Sequence, residues 1–392
     1  MDRAIGIVGY AALSALGAER VAVWKAYQSP ATAIRRHPVR PYFEAPAASV
    51  VEQNLRALRA ENKYYRKVDR SVQLALLAAR GAYQEAGWSR GASFGINLGS
   101  SRGATQTFEQ YHDHFQNHPR SQTAPLTSPL TTLGNLSAWV GRDLGHRGPT
   151  ISHSVTCSSA LHALLNGIAW LRSGLAQRFL VGGSEAPLTP FTQAQMAALK
   201  ITPAAQNTGA FPCRAMEDHK TQNGMVLGEG AAVFALEVDP PRPLAWIEGI
   251  GYGTEDFDHP TQISPNGLSL QRSMRMALAD LPPEAIDLVV LHSPGTIQGD
   301  RAEREAIKAI FPQKIPTGTT NKWKIGHTLG ASAALSLEFA LLQMQAAQII
   351  RPPYLVGPRI EQKTIRRVLL NAVGFGGNAA SIIIRKPENS SS

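Results

Sequence analysis

One cysteine and two histidines hold the reactive chemistry of this 392-residue chain. Cys157 lies in the turn Ser154-Val-Thr-Cys-Ser-Ser-Ala160, directly ahead of an apolar run with helical spacing. A thiol at a helix start faces unpaired backbone N–H groups and the positive end of the helix dipole, and both favour the thiolate near neutral pH. Such a group can attack a thioester and hold the acyl portion covalently. His292 and His327 follow in two separate glycine-containing loops. Imidazoles beside an acylated thiol can donate hydrogen bonds to negative charge developing on oxygen. Taken singly, a free cysteine is most often a small buried hydrophobe, and any one of eleven histidines is most often a surface or core residue. The three positions gain weight only together.

Composition bounds what they can serve. With 43% hydrophobic and 17% charged residues, the chain buries a substantial core and is not disordered. Two cysteines exclude a disulfide framework and fit a reducing compartment, so a cytoplasmic location is expected. Lys plus Arg number 39 against 29 Asp plus Glu, a net charge of +10 that attracts anionic partners. The basic residues are scattered and no aromatic stacking platform accompanies them, so no nucleic-acid partner is expected. Arg3 precedes the apolar stretch Ala4 to Leu16, as in a secretion signal. Asp2 offsets that charge, however, Gly6 and Gly9 interrupt the run, and Ile5-Gly-Ile-Val-Gly reads as a buried strand. No apolar segment approaches the ~20 residues that span a bilayer, so no membrane insertion is expected. His112-Asp-His114 sits in a polar stretch and reads as surface, not as a metal site.

The elements that must position these groups alternate between short β-like runs and longer helical ones, which indicates layered α/β architecture. Strands are expected at 4–8, 94–98, 178–182, 231–237, 244–250, 287–292, 367–371 and 380–385. Helices are expected at 70–86, at 158–172 just after Cys157, and from about 331 to 346. The Pro-rich hinge Asp239-Pro-Pro-Arg-Pro243 divides the chain into halves, 1–238 and 244–388, leaving 389–392 as a frayed tail. Gly228-Glu-Gly-Ala-Ala-Val-Phe-Ala-Leu236 and Gly376-Gly-Asn-Ala-Ala-Ser-Ile-Ile-Ile384 echo each other near the ends of the two halves, which suggests a duplicated unit. The polar stretch 102–135 reads as an excursion covering the core.

Four motifs now appear in order: Thr156-Cys-Ser-Ser-Ala160, His292-Ser-Pro-Gly-Thr-Ile-Gln-Gly-Asp-Arg-Ala-Glu303, Lys322-Trp-Lys-Ile-Gly-His-Thr-Leu-Gly330 and Gly374-Phe-Gly-Gly377. In this order and spacing the chain resembles the elongating β-ketoacyl-acyl-carrier-protein synthases over nearly its whole length. The resemblance implies the thiolase fold, a five-layer αβαβα sandwich of two related halves, and a two-fold dimer. It implies a decarboxylative Claisen condensation of malonyl carrier with an acyl group held on Cys157, in fatty-acid or polyketide-type biosynthesis and without a cofactor. Cys157, His292 and His327 are then the catalytic set, and the backbone N–H groups of Cys157 and Phe375 form the oxyanion hole. The glycines flanking Phe375 would let its backbone approach closely, and its side chain is the gate candidate. Lys322 would set the electrostatics of the site with Asp300 and Glu303 as carboxylate neighbours, while Lys324 is structural or solvated. Lys63, Arg66 and Lys67 match the segment that relatives present to the acidic acyl carrier protein.

Departures from the family pattern mark what is particular here. The family tends to carry a glutamate nine residues after the second histidine, where this chain has Ser336, with Glu338 two further on. The stretch from Cys213 to Glu229 is about two residues longer than usual, and Ser293-Pro294 replaces the common Gly-Thr. Arg102 occupies a place where relatives line the acyl tunnel near the dimer interface with an apolar side chain. A guanidinium there faces a carboxylate across the interface, makes the tunnel short or polar, for an unsaturated or aryl-primed chain, or points outward in a plain fatty-acid enzyme. An alternative reading is a secondary-metabolite ketosynthase, of aryl polyene or polyketide-like type, paired as a heterodimer with a chain-length partner. A thiolase-like acyl-CoA transferase is a remote one, since its second cysteine would belong in the Gly374–Gly377 loop. A starter-type synthase would want asparagine as third member, and a non-catalytic partner normally lacks the cysteine.

Overall fold

The structure, a computed structural model, describes residues 3–89, 91–118, 123–204, 206–207, 209–256 and 263–388. The tail expected at 389–392 lies outside these residues. Ten strands form one mixed sheet composed of two five-strand units. The first unit holds β1 (Ile5–Leu13), β2 (Gly95–Gly99), β3 (Thr150–His153), β4 (Arg178–Glu185) and β5 (Gly230–Val238). The second holds β6 (Ala245–Gly253), β7 (Leu288–Val290), β8 (Thr317–Thr319), β9 (Arg367–Gly374) and β10 (Asn378–Arg385). The order across the sheet is β8-β7-β9-β10-β6-β1-β5-β4-β2-β3.

Each unit repeats one topology. In the first, β2 runs parallel to β3 and β4, β4 antiparallel to β5, and β5 antiparallel to β1. In the second, β7 runs parallel to β8 and β9, β9 antiparallel to β10, and β10 antiparallel to β6. The echo between 228–236 and 376–384 therefore falls on β5 and β10, equivalent closing strands. The units join where β1 pairs with β6 through Ile5–Ile247, Gly6–Trp246 and Ile7–Ala245.

Helices α1 (Arg70–Glu85), α2 (Thr105–Asn117), α3 (Ser159–Ser173), α4 (Pro190–Ala198), α5 (Leu268–Leu278), α6 (Ile297–Ile310) and α7 (Ser332–Ala346) complete the layers. α3 and α7 touch each other and strands of both units, and their apolar side chains fill the central core. α7 is buried on every side from Ser332 to Met344, as expected for an apolar helix packed against both five-strand units. α1 covers the outer face of the first unit, and α5 with α6 the outer face of the second. Asp69 caps α1 by accepting from Ser71 N at 2.8 Å.

Boundaries differ from expectation for local reasons. β1 continues to Leu13 because it pairs with β5 along its length. The strand expected at 287–292 ends at Val290, since the chain turns at His292 and Ser293. β3, four residues with no buried side chain, carried no periodic signal. The stretch 102–135 is a helical excursion, α2 followed by a short helix at Thr127–Thr131, and most of its side chains face outward. His112 and His114 lie exposed on α2, where His112 stacks on Phe108 and His114 on His118.

Candidate active site

Cys157 stands two residues before α3, in a turn whose Thr156 has φ +47°. That backbone costs a non-glycine residue about 1–3 kcal/mol and is held by neighbours. Thr156 Oγ1 donates to Phe375 O at 3.3 Å, and Ser159 Oγ donates to Thr156 O at 2.6 Å. The Gly374–Phe375 backbone lies directly on this turn. A Cβ built on Gly374 would overlap Thr156 Oγ1 and stand 3.1 Å from Cys157 N, so only glycine allows the approach. The side chain of Phe375 remains 37% exposed and borders the same cavity as the thiol.

Burial corrects the expectation of a ready thiolate. Removal from water pushes the Cys157 thiol up to about 12, and the charge of Glu185 adds to this, while Lys322 opposes it. Burial therefore favours the neutral thiol at pH 7. Met196, Met225, Leu227 and Leu329 pack with it in an apolar cluster.

Two carboxylates of α6, Glu303 and Asp300, hold the His292 loop. Glu303, on α6, accepts from His292 N at 2.9 Å, Ser293 N at 2.8 Å and Ser293 Oγ at 3.1 Å, with Asn371 Nδ2 at 3.3 Å. Ser293 has φ +25°, the form the Ser-Pro variant of this loop takes. Asp300 accepts from Gly295 N at 3.0 Å and Met216 N at 2.8 Å and forms a buried ion pair with Lys220. The lengthened 213–229 stretch thus packs on the His292 loop. Gly224 N donates to Gly295 O at 2.9 Å, and Asn223 reaches the cavity wall.

These contacts revise the expected surroundings of Lys322. Neither Asp300 nor Glu303 hydrogen-bonds it, and both act on it only as charges through space. Lys322 Nζ donates instead to Ser336 Oγ at 3.2 Å and Asn321 Oδ1 at 3.4 Å. Burial brings its ammonium down to about 8. Ser336 therefore occupies the glutamate's place with a neutral acceptor. Glu338 does not substitute, because it turns toward Tyr27, Tyr10 and Arg20, where burial lifts its carboxyl to about 8. Lys324 is structural, its Nζ donating to the carbonyls of Ser29 and Ala31.

His327 follows the short helix Lys322–Ile325, and its backbone pairs with Val226 O and Gly228 N. The rings of His292 and His327 sit edge to face, centroids 5.1 Å apart. Burial lowers His327 to about 3, with Lys322 contributing, and lowers His292 well below the ordinary imidazole range, with His327 and Lys322 contributing. Both rings are neutral at pH 7, each with one N–H to donate.

A cavity of about 500 Å³ gathers Cys157, His292, His327, Phe375 and Arg102 on one wall system. Arg102 Nη2 donates to Gln195 Oε1 on α4 at 2.5 Å, and its Nε is buried with no acceptor. No carboxylate pairs with it among the described residues. Sequence reasoning missed Glu185, which accepts from Ser100 Oγ at 2.9 Å, Ser101 N at 2.6 Å, Arg102 N at 3.2 Å and Gly330 N at 2.9 Å. A lone acid closing the apolar strand Arg178–Glu185 was the available signal. A Cβ on Gly330 would come within 2.6 Å of Glu185 Oε2. Lys220, in a polar loop, gave no signal at all.

Lys63, Arg66 and Lys67 are exposed and lie outside this cavity. Arg66 and Lys67 border a separate polar depression of about 970 Å³ that Arg59 and Arg70 also line. Arg70 is already committed to Glu229 and Glu52.

Residues 2–240 match the family described as Beta-ketoacyl synthase, N-terminal domain, and residues 244–354 match Beta-ketoacyl synthase, C-terminal domain. Nodulation protein E of Rhizobium sp. (strain N33) is 27% identical over 419 residues, covering 98% of this chain and 100% of the relative. The tetracenomycin polyketide synthase ketoacyl synthase alpha subunit of Streptomyces glaucescens is 30% identical over 279 residues, covering 65% of this chain and 63% of that subunit. The ishigamide ketosynthase/chain length factor superposes with a TM-score of 0.84 at 21% identity, over 99% of this chain and 100% of that one. With the duplicated sandwich and both family domains present, this chain belongs to the β-ketoacyl synthase family and is an acyltransferase of thiolase fold.

Proposed function

We propose that the chain elongates a carrier-bound acyl group by two carbons, with Cys157 as nucleophile and His292 and His327 as hydrogen-bond donors. The observation that carries this reading is the meeting of the thiol, two neutral imidazoles and the Gly374–Phe375 backbone on one cavity. In the first step Cys157 Sγ bonds to the acyl carbonyl carbon, the carrier sulfur leaves, and the thiol proton passes to it. The oxyanion formed meanwhile takes the N–H groups of Cys157 and Phe375. In the second, malonyl thioester loses CO2 and the enolate oxygen accepts from the two imidazoles. Its carbon attacks the acyl-Cys157 carbonyl, and the released sulfur takes up one proton. Neutral rings suit this role, since they stabilise the enolate without protonating it.

The carrier is an acidic acyl carrier protein approaching Lys63, Arg66 and Lys67, consistent with the net charge of +10. The working unit is a dimer. Phe108 on α2, Leu126 and Phe191 on α4 are exposed large apolar side chains, and Thr189 bonds to Glu109 where α4 meets α2. The partner is a second copy or a chain-length subunit, the latter favoured by Arg102, whose charge does not suit a long saturated chain. Two unpaired, buried cysteines fit a cytoplasmic setting. Intact-mass measurement after mixing with a panel of acyl carriers tests the reading. One acyl group should appear on the protein and vanish in Cys157→Ala. Loading that persists in Cys157→Ala overturns it.

A further inference from the structure

Among the described residues, Arg102 is the one lysine or arginine lining the Cys157 cavity. Its guanidinium has five N–H donors, of which one meets the neutral Gln195 amide and another, on Nε, is sealed from solvent without an acceptor. The guanidinium is half-buried with its Nε sealed, a setting in which a cation gains from an anionic partner, and an amide oxygen does not neutralise it. The backbone of Arg102 is meanwhile fixed by Glu185, which also holds the neighbouring Ser101. The side chain is therefore anchored at its base and short of an anion at its tip.

From this we infer that Arg102, steadied by Gln195, forms a subsite for a carboxylate on the acyl group that Cys157 receives, so that the preferred substrate is a carboxy-ended acyl thioester. The inference rests on the condensing role proposed for Cys157. Met196, Met225 and Leu329 surround the thiol, so the carbons next to the thioester meet an apolar wall. Arg102 supplies a planar fork that matches two carboxylate oxygens, and Gln195 steadies that fork by accepting from Nη2. The malonyl carboxylate is not the fitting occupant. A cation gripping it would stabilise the group that must depart as neutral CO2 and so oppose decarboxylation.

The test compares Cys157 acylation from two carriers of equal chain length, one hexanoyl and one 5-carboxypentanoyl, read by intact mass over time. The quantity is the ratio of the two rates within one preparation, which cancels any loss of folded protein. The native chain is expected to favour the carboxy-ended group by roughly tenfold or more, the usual scale for a charge-assisted pair. Arg102→Met should reverse the preference, and Arg102→Lys should keep part of it. Equal or faster loading of hexanoyl by the native chain, or a ratio unchanged in Arg102→Met, overturns the inference while leaving Cys157 as the nucleophile. Failure of both groups to load, with acetyl through octanoyl carriers also inert, removes the condensing reading and this inference with it.

Discussion

Replacing Glu303 by glutamine isolates one half-reaction. Glu303 presents one oxygen to His292 N at 2.9 Å and the other to Ser293 N at 2.8 Å. Glutamine keeps one acceptor and turns an N–H₂ toward a buried N–H. One bond to a charged acceptor is lost, worth about 1.5–3 kcal/mol, and a donor–donor contact replaces it. Ser293 at φ +25° depends on that hold, so the loop relaxes and displaces the His292 ring. If about 2–4 kcal/mol is expressed as misplacement of His292, malonyl decarboxylation should fall by about 30-fold to about 900-fold. No Glu303 hydrogen bond reaches the Cys157 turn, so acyl loading should change by less than about threefold. The assay is release of labelled CO2 from malonyl carrier without primer, beside intact-mass loading on the same preparation. Equal losses in both, or undiminished CO2 release, would refute the positioning role.

Further outcomes follow from other contacts. With the thiol near 12, alkylation of Cys157 by iodoacetamide should rise about tenfold per pH unit from 6 to 9; a plateau in that range contradicts the burial argument. His327 protonates near 3 when folded and near the ordinary 6.5 when unfolded, so the unfolded chain binds more protons and stability falls as pH drops below 6.5. His327→Gln should lessen that slope by about 1.4 kcal/mol per pH unit between pH 6 and 4, measured by urea unfolding. Gly374→Ala should cost about 1–3 kcal/mol of local packing and slow acyl loading tenfold or more, read by intact mass. Arg66→Glu with Lys67→Glu should raise KM for the carrier about tenfold and flatten its salt dependence, with loading from small-molecule thioesters unaffected.

The three reactive side chains were legible because each sits in a short local motif, and the alternating elements around them imposed the layered fold. What escaped notice lies in bonds between distant segments. Glu185 meets partners 84 and 145 residues away, and no local pattern signals such a meeting. Asp300 was visible, but its ion-pair partner Lys220, 80 residues off, was not, so nothing in the sequence told that Asp300 and Glu303 act on Lys322 as charges without hydrogen-bonding it. Ser336 in place of a glutamate was plain to read; that it would accept directly from Lys322 depended on the pitch of a helix buried on all sides. For Cys157, proximity to a helix start was local and legible, whereas the desolvation that raises its thiol comes from Met196, Met225 and Leu329, elsewhere in the chain.

Glu185 fastens two things that evolution would otherwise tune apart. The loop carrying Arg102, proposed to select the acyl group, and the turn bearing His327 and Gly330, proposed to serve every acyl group alike, both hang from a single carboxylate. Grafting residues 100–103 from a relative with different taste will therefore jolt the histidine as well. Drift in substrate choice along this lineage should come paired with changes at position 330 or at the carboxylate itself.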